Sequence, residues 1–249
     1  MKHETLNSPK GEVYGIRTVL EAIESGQSIE KIYAKIGLSG ELFNQLRKTA
    51  KNRNIPIQTV PLERINKFTR GNHQGIVAIM SAVQYHNIEA IVQNTISEGK
   101  KLFIIILDGI TDVRNFGAIA RTAEAAGVHA IVIPEKGSAP INSDAIKTSA
   151  GALFRIPVCR VSKPWYTLKL LKETGCKIIS ITEKAETDYR TIDYSGNLGL
   201  IFGAEDKGIT SQLLKMSDEK ASIPLKGKTA SLNVSVAAGI LIFEALKGR

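Results

Sequence analysis

Five continuous apolar runs, separated by helical segments, constrain the fold of this chain more than any other feature of its sequence. They fall at 102–107, 130–133, 156–159, 177–181 and 198–202. None of them alternates apolar with polar residues, so each predicts a strand that is covered on both faces, as in parallel sheets. Residues 100–249 are therefore predicted to form an α/β domain around a mostly parallel sheet.

The chain before residue 100 has a mixed pattern. It predicts helices at 16–25, 41–51 and 62–68 and strands at 31–36, 55–60 and 75–83, which suffice for a small α/β module over 11–82. Residues 1–10 are polar and are expected to be a flexible tail. The segment 87–99 has the pattern of an amphipathic helix, and we expect it to lie in a linker, 83–99, between two domains.

Three short segments place polar groups beside glycine or another small residue. They are Asn115–Arg121, Gly203–Thr210, and Ile223-Pro224 followed by Ser231–Ser235. Each is expected to join a strand to a helix. Because ligands of open α/β sheets bind outside the carboxyl ends of the strands, the three segments predict one composite site.

The first and third segments also have plain structural interpretations. Asn115 is predicted to cap a helix over 116–126, and Gly117 is predicted to leave open space beside Arg121 for a phosphate or hydroxyl group. Alternatively, Arg121 pairs with Glu124 or Glu205 on a packed surface. In the third segment, Ser231 and Asn233 could serve only as caps for the helix that follows.

The second segment nearly matches the phosphate-binding pattern G-x-x-x-x-G-K-[ST] of nucleotide hydrolases. Ile209 occupies the lysine position, so the main phosphate ligand is missing. This substitution disfavours a nucleoside-triphosphate site, and a tight turn with Glu205 exposed near its tip is the simpler interpretation.

The formal net charge is +9, and residues 1–81 hold 12 Lys/Arg against 7 Asp/Glu. Such an excess favours a nucleic acid partner. Two groups are predicted to bind RNA: Arg47, Lys48 and Arg53 around a helix end, and Arg70, Asn72, His73 and Gln74 in a loop. The alternatives are cations that complement the helix dipole and a plain turn, respectively.

The cysteines and the lengths of the apolar runs indicate in which compartment of the cell the protein is expected. Cys159 and Cys176 lack C-x-x-C spacing and are expected to be reduced thiols, with no metal site. The apolar runs are shorter than the ~20 residues of a membrane span. Residues 1–10 also lack a hydrophobic stretch behind their charges, so a cytoplasmic protein without a membrane partner is expected.

In their order along the chain, the three segments resemble the motifs of the SpoU (TrmH) family of RNA ribose 2′-O-methyltransferases. The resemblance covers residues 100–249, and residues 13–76 resemble the family's substrate-binding module, which is related to L30e/L7Ae-type RNA binders. It implies a knotted (trefoil, SPOUT-type) methyltransferase domain that forms a homodimer, preceded by a small α/β RNA-binding domain.

The resemblance also implies the cofactor and the roles of residues. S-adenosyl-methionine would be held around Thr182, Gly203, Ile223 and Leu232, and the catalytic face would comprise Arg121, Asn115, Glu205, Ser231 and Asn233. The implied activity is methyl transfer to the ribose 2′-OH of a guanosine in 23S ribosomal RNA. The same reaction on tRNA, or a catalytically silent RNA-binding or ribosome-assembly factor, stays open.

Overall fold

The computed structural model describes residues 11–249, and the predicted tail at 1–10 lies outside them. The chain divides into two compact units, the first ending at Gln84 and the second beginning at Tyr85. The segment 83–99 was expected to link two domains, but its helix, Ile88–Ser97, belongs to the second unit. Ile88 and Val92 on this helix are buried in the core of that unit, which a free connector would not allow.

The first unit is a four-stranded mixed sheet with three helices. Its elements are β1 (Glu12–Tyr14), α1 (Ile16–Glu24), β2 (Ile29–Lys35), α2 (Glu41–Asn52), β3 (Ile57–Val60), α3 (Leu62–Asn66) and β4 (Ile76–Met80). The strand order is β1-β4-β2-β3, with β4 antiparallel to both neighbours and β2 parallel to β3. The predicted helices and strands are confirmed. The strand β1 was not predicted, because its three residues are too few to show a pattern.

The second unit is built on a six-stranded sheet. Its elements are α4 (Ile88–Ser97), β5 (Phe103–Asp108), α5 (Val113–Ala125), β6 (Ala130–Pro134), α6 (Ser143–Thr148), β7 (Val158–Val161), α7 (Pro164–Glu173), β8 (Lys177–Ile181), β9 (Leu198–Gly203), α8 (Ser211–Met216), β10 (Glu219–Ala221) and α9 (Val234–Leu246), with 3₁₀ turns at Ala152–Phe154 and Tyr189–Thr191. The strand order is β10-β8-β9-β5-β6-β7, and every pairing is parallel.

Helices cover both faces of this sheet, as the continuous apolar runs predicted. All six residues of β5 are buried. On one face α4, α7 and α8 contribute to the core, and α5 packs between α6 and α9. The α/β class with a mostly parallel sheet is thereby confirmed.

Both cysteines lie in this core as free thiols. Burial disfavours the thiolate and raises the pKa of Cys159 and of Cys176 to about 12. Neither thiol is therefore suited to act as a nucleophile or metal ligand at neutral pH.

Candidate functional site

A cavity of about 590 Å³ opens at the carboxyl ends of β8, β9 and β10. It is lined by the segments that leave these three strands, together with the start of α9. All four residues predicted to hold the cofactor line it: Thr182, Gly203, Ile223 and Leu232. The structure therefore brings together residues that the chain spreads over 50 positions.

Gly203 begins a loop that folds back on itself at the cavity wall. A Cβ atom at this position would lie 2.2 Å from the carbonyl carbon of Gly208 and 2.3 Å from the amide nitrogen of Ile209. Gly208 has a φ of 66°, a conformation that glycine adopts without strain, and its amide donates to the carbonyl of Ala204 at 2.8 Å. Gly203 is needed for this close approach, and Gly208 for the left-handed backbone conformation of the loop.

Asp108, the last residue of β5, holds both ends of this loop. Its main-chain oxygen accepts a hydrogen bond from Ala204 N at 3.0 Å, and its carboxylate Oδ2 accepts one from Thr210 N at 2.7 Å. Asp108 is 8% exposed, so its side chain is committed to this contact. Sequence reasoning missed this residue because its partner lies 102 positions further along the chain.

The same contacts argue against the nucleotide hydrolase alternative. The amides of Gly208 and Thr210 are bonded within the protein and cannot cradle a phosphate. Ile209, which stands at the lysine position of that pattern, is 6% exposed and packs in the core.

Three polar side chains, here called the amide–carboxylate cluster (Asn115, Glu205 and Asn233), meet at the mouth of the cavity. Glu205 Oε1 accepts from Asn233 Nδ2 at 2.8 Å and from Asn115 Nδ2 at 3.2 Å. Asn233 Nδ2 also donates to Asn115 Oδ1 at 3.0 Å. Each of the three sequence segments thus contributes one member, as predicted for a composite site.

The two asparagines of the cluster differ in their relation to helix starts. Asn233 caps α9, since its Oδ1 accepts from Ser235 N at 2.9 Å, which is the structural alternative given for it above. The predicted cap at Asn115 is wrong. Asp112 caps α5, accepting from Asn115 N at 2.8 Å, so Asn115 lies within the first turn and its side chain is free to reach Glu205.

Ser231 and Leu232 line the cavity just ahead of this cap. The lining also includes charged residues on two of its walls: Glu183, Lys184, Asp206 and Lys207. Within residues 11–249, no group of three His, Cys, Asp or Glu side chains is arranged to hold a metal ion.

Arg121 lies on α5 outside this cavity. It is exposed, and both of its predicted partners are engaged elsewhere: Glu124 with Arg155 at 2.6 Å, and Glu205 in the amide–carboxylate cluster. Six positions separate Arg121 from Asn115, which corresponds to about 9 Å along the helix and a rotation of about 240°. Within one chain, Arg121 therefore does not face the cavity.

The space beside Gly117 is not open, which corrects the prediction made for it. A Cβ atom there would meet Thr148 Cβ at 2.8 Å and the carbonyl oxygen of Ala145 at 3.0 Å. Gly117 lets α6 approach α5 closely and provides no room for a substrate.

The predicted RNA-binding side chains all lie in the first unit. Arg47, Lys48 and Arg53 are exposed on α2 and directly after it. Arg70 and Asn72 are exposed in the loop before β4. Their contact with RNA stays a prediction.

Two other residues of that loop have structural tasks within the unit. Gln74 has a φ of 51°, and its Oε1 accepts from Ile16 N at 3.2 Å, at the start of α1. His73 Nδ1 accepts from Gly75 N at 2.9 Å, and its Nε2 therefore donates to Asn66 Oδ1, also at 2.9 Å. These bonds give the loop a defined shape.

The cavity has the size and chemistry of a site for a nucleoside-sized ligand. Its volume lies within the usual range for small-molecule pockets. Its lining combines apolar residues such as Phe202 and Ile223 with Gly203, and the Glu205 carboxylate stands at its mouth. No helix among residues 11–249 is long and apolar enough to cross a membrane.

Comparison with known families agrees with this division of the chain. Residues 102–243 match the SpoU rRNA Methylase family. Residues 13–86 match the family described as RNA 2′-O ribose methyltransferase substrate binding.

Individual proteins are similar to this chain over nearly all of its length. A Staphylococcus epidermidis protein assigned to the TrmH family of tRNA/rRNA methyltransferases is 34% identical over 237 residues, covering 95% of each chain. The AdoMet-bound rRNA methyltransferase of Sinorhizobium meliloti is 26% identical, with a TM-score of 0.60 over 95% of this chain and 86% of that one. The SpoU methyltransferase AviRb of Streptomyces viridochromogenes, 22% identical, shares the fold with a TM-score of 0.60 over 98% of this chain and 94% of that one.

Proposed function

The chain belongs to the SpoU family of RNA 2′-O-ribose methyltransferases, and from that premise we propose that it transfers a methyl group from S-adenosyl-methionine to the ribose 2′-oxygen of a guanosine in 23S rRNA. Residues 100–249 carry the transfer and residues 11–82 bind the RNA. The observation that carries this proposal is the convergence of all three motif segments on one cavity.

The cavity fits the cofactor in two respects. Main-chain groups at Gly203, Ile223 and Leu232 are suited to hold an adenosine through uncharged hydrogen bonds, which do not repel a cation. The Glu205 carboxylate at the mouth is suited to attract one. When bound, S-adenosyl-methionine supplies an electrophilic methyl group on a positively charged sulfur.

The amide–carboxylate cluster is proposed to orient the acceptor ribose. Glu205 Oε1 is held by three donors, Asn115 Nδ2, Asn233 Nδ2 and the amide of Val234. Orientation of the 2′-oxygen at ~3–3.5 Å from the methyl carbon accounts for a large part of the rate. Ser231, beside the cluster, is a further hydrogen-bonding group for the ribose.

Arg121 is proposed to hold the phosphate next to the target ribose and to stabilise the developing alkoxide. A guanidinium is effectively never deprotonated in proteins, so it serves as a donor rather than as the base. The hydroxyl proton passes to Glu205, to a phosphate oxygen or to water as the oxygen–methyl bond forms and the methyl–sulfur bond breaks.

A homodimer accounts for the position of Arg121. On α9, which packs beside α5, Val236 and Phe243 lie on one side and are 51% and 52% exposed. An apolar strip of this kind marks an interaction surface. We propose that two subunits meet there and that Arg121 of each completes the site of the other, in a trefoil-knotted, SPOUT-type domain.

We propose two further properties because the chain belongs to the SpoU family. The first unit is proposed to be an L30e/L7Ae-like RNA-binding domain, and the protein to act in the cytoplasm without a membrane partner. The three helices and the four-stranded sheet of that unit support the first of these proposals.

A transfer assay with the full chain tests the proposed function. The protein is incubated with methyl-labelled S-adenosyl-methionine and with 23S rRNA or tRNA, and the RNA is digested to nucleosides. We expect 2′-O-methylguanosine from 23S rRNA. Label in tRNA instead would favour the alternative substrate, and cofactor binding without transfer to either RNA would favour a silent RNA-binding factor.

Variants of Arg121 test its role in the same assay. We expect Arg121→Ala to lower turnover on the order of 100-fold or more, with cofactor affinity nearly intact. Arg121→Lys keeps the charge without the planar fork and should recover part of the loss. A matching loss of cofactor binding in Arg121→Ala would refute the assigned role.

Mixed dimers test the shared site. Arg121→Ala and Glu205→Ala subunits, each inactive alone, should regain part of the activity when mixed, because one of the two sites then holds both intact residues. No recovery after subunit exchange would place Arg121 and Glu205 of the same chain in one site.

A further inference from the structure

The sheet of the first unit has two chemically different faces. The face against α1 and α2 packs aliphatic strand residues: Val13, Ile32, Ala34, Ile76 and Ala78. The opposite face is partly covered by α3, and Val60, Ile65 and Val77 are buried there. It carries Tyr14 and Tyr33 from the strands and Phe68 from the segment after α3, and we call these three residues the aromatic face. The five-residue helix α3 leaves all three half-buried.

Two members of the aromatic face stand in one row across the sheet. Tyr14 on β1 and Tyr33 on β2 are both paired in register with Val77 on the intervening β4. Two strand spacings put them about 10 Å apart. Phe68 stacks on Tyr33, with 4.8 Å between the ring centroids, so it covers one face of the Tyr33 ring and the two rings form a pair.

Cations border the aromatic face. The guanidinium carbon of Arg64 lies 5.6 Å from the centroid of the Tyr33 ring. Lys31 precedes Tyr33 by two positions on β2, and side chains two apart on a strand share a face. Glu12 on β1 and Lys31 on β2 are both paired in register with Ile79 on β4, so the surface carries charges of both signs. The charged groups described beside Tyr33, Arg64 and Lys31, are both cations.

The aromatic face adjoins the loop that holds Arg70 and Asn72. A Cβ atom on Gly71 would lie 2.7 Å from the hydroxyl oxygen of Tyr14, so the Tyr14 ring tip packs directly against the loop backbone. The loop and the face therefore form one continuous surface of the first unit.

We propose that the aromatic face binds unpaired nucleotides of the RNA substrate by stacking. Bases pack on Tyr14 and on the Tyr33–Phe68 pair, while Arg64 and Lys31 contact phosphates. Half-buried aromatic rings beside a cation are suited to this, because every base has a stacking surface. The proposal rests on RNA being the substrate and adds how the first unit contacts it.

The charge at the aromatic face favours RNA over a protein partner. An apolar protein surface would bury aromatic rings without needing cations around them, whereas a nucleotide presents a base and a phosphate together. Arg64 above the Tyr33 ring places a phosphate-binding group beside a stacking surface.

Ring-removing and ring-keeping variants of the full chain test the proposal. Binding of a fluorescent single-stranded oligoribonucleotide is followed by anisotropy over a range of salt concentrations. We expect Tyr14→Ala and Tyr33→Leu each to weaken binding about ten-fold or more, with the salt slope unchanged. Tyr33→Phe keeps the ring and should bind like the wild type. Tyr166→Ala removes a tyrosine that is 52% exposed in the second unit and is the matched control.

The outcomes separate this proposal from the proposed function. Wild-type affinity in folded Tyr14→Ala and Tyr33→Leu would overturn stacking on this face and leave methyl transfer untouched. An equal loss in Tyr33→Phe or in Tyr166→Ala would overturn it as well. If the wild type transfers no methyl group to any RNA, the proposed function fails, and the affinities still decide whether the face binds RNA.

Discussion

The cavity of the second unit and the aromatic face of the first unit are built in opposite ways. The cavity wall is fixed by main-chain contacts: Gly203 has no room for a side chain, and Asp108 ties down both ends of the loop. The aromatic face presents half-buried rings beside the exposed Arg64. If the two proposals hold, the small ligand is bound by a rigid, shaped site and the RNA by accessible rings and charged groups.

The largest effect is expected at the rigid site, from Gly203→Ala. The added Cβ would lie 2.2 Å from the backbone of Gly208, so the loop must shift. Overpacking costs about 1–3 kcal/mol, so we expect cofactor affinity, measured by calorimetry, to fall by about 10- to 100-fold.

Gly227→Ala is the matched control for that experiment, since nothing lies within 4 Å of its Cβ position. RNA affinity should be unchanged in both variants. Cofactor binding by Gly203→Ala at wild-type strength would show that the cavity is not the rigid site described here.

Asp108→Ala should have the next largest effect. It leaves Thr210 N without its acceptor, at a cost of about 1–3 kcal/mol, and frees the loop that carries Glu205. We expect turnover to fall about ten-fold, with RNA affinity unchanged. Asp108→Asn retains an oxygen acceptor and should recover most of the activity; equal losses in both variants would contradict a positioning role for Asp108.

Gly117→Ala tests packing rather than binding. Because Thr148 Cβ would lie 2.8 Å from the new methyl group, we expect the second unit to lose about 1–3 kcal/mol of stability. Thermal unfolding followed by Trp165 fluorescence reports on this unit, since Trp165 is the single tryptophan of the chain.

Gly239→Ala is the matched helical control, with Thr122 Cγ2 at 4.0 Å from its Cβ position. It should leave the unfolding temperature unchanged or raise it slightly, because alanine has the higher helix propensity. Similar destabilisation of both variants would show that the contact with α6 is not what requires Gly117.

The smallest effect is expected on the exposed surface of α2 and the residue that follows it. RNA affinity is expected to fall with rising salt. Neutralising Arg47, Lys48 and Arg53 one at a time should make the plot of log affinity against log salt less steep, by about 0.7–0.9 for each phosphate contact removed. Lys169→Ala, on the second unit, is the control. An unchanged slope in all three variants would exclude this cluster as an RNA-docking surface.

Those parts of the molecule that depend on local pattern were predictable from sequence. Continuous apolar runs gave the parallel strands, and small residues beside polar ones gave the three segments that meet at the cavity. Strand order was not readable, because it depends on which distant strands pair. The predicted cap at Asn115 was wrong because Asp112, three positions earlier, can also cap a helix and does so.

Long-range contacts explain the other differences. The role of Asp108 could not be predicted, because Thr210, whose amide its carboxylate binds, lies 102 positions further along the chain. The role of Gly117 depends on a helix that begins 26 positions later, at Ser143. Gln74 was predicted only as an RNA contact because its bond to Ile16 N spans 58 positions.

Mapping of ribose methylation in 23S rRNA tests the central claim most directly. Cells lacking this gene should lose one 2′-O-methylguanosine, which a plasmid-borne wild-type copy restores and a Glu205→Ala copy does not. An identical methylation map with and without the gene would contradict the assignment of the cavity to methylation of that RNA.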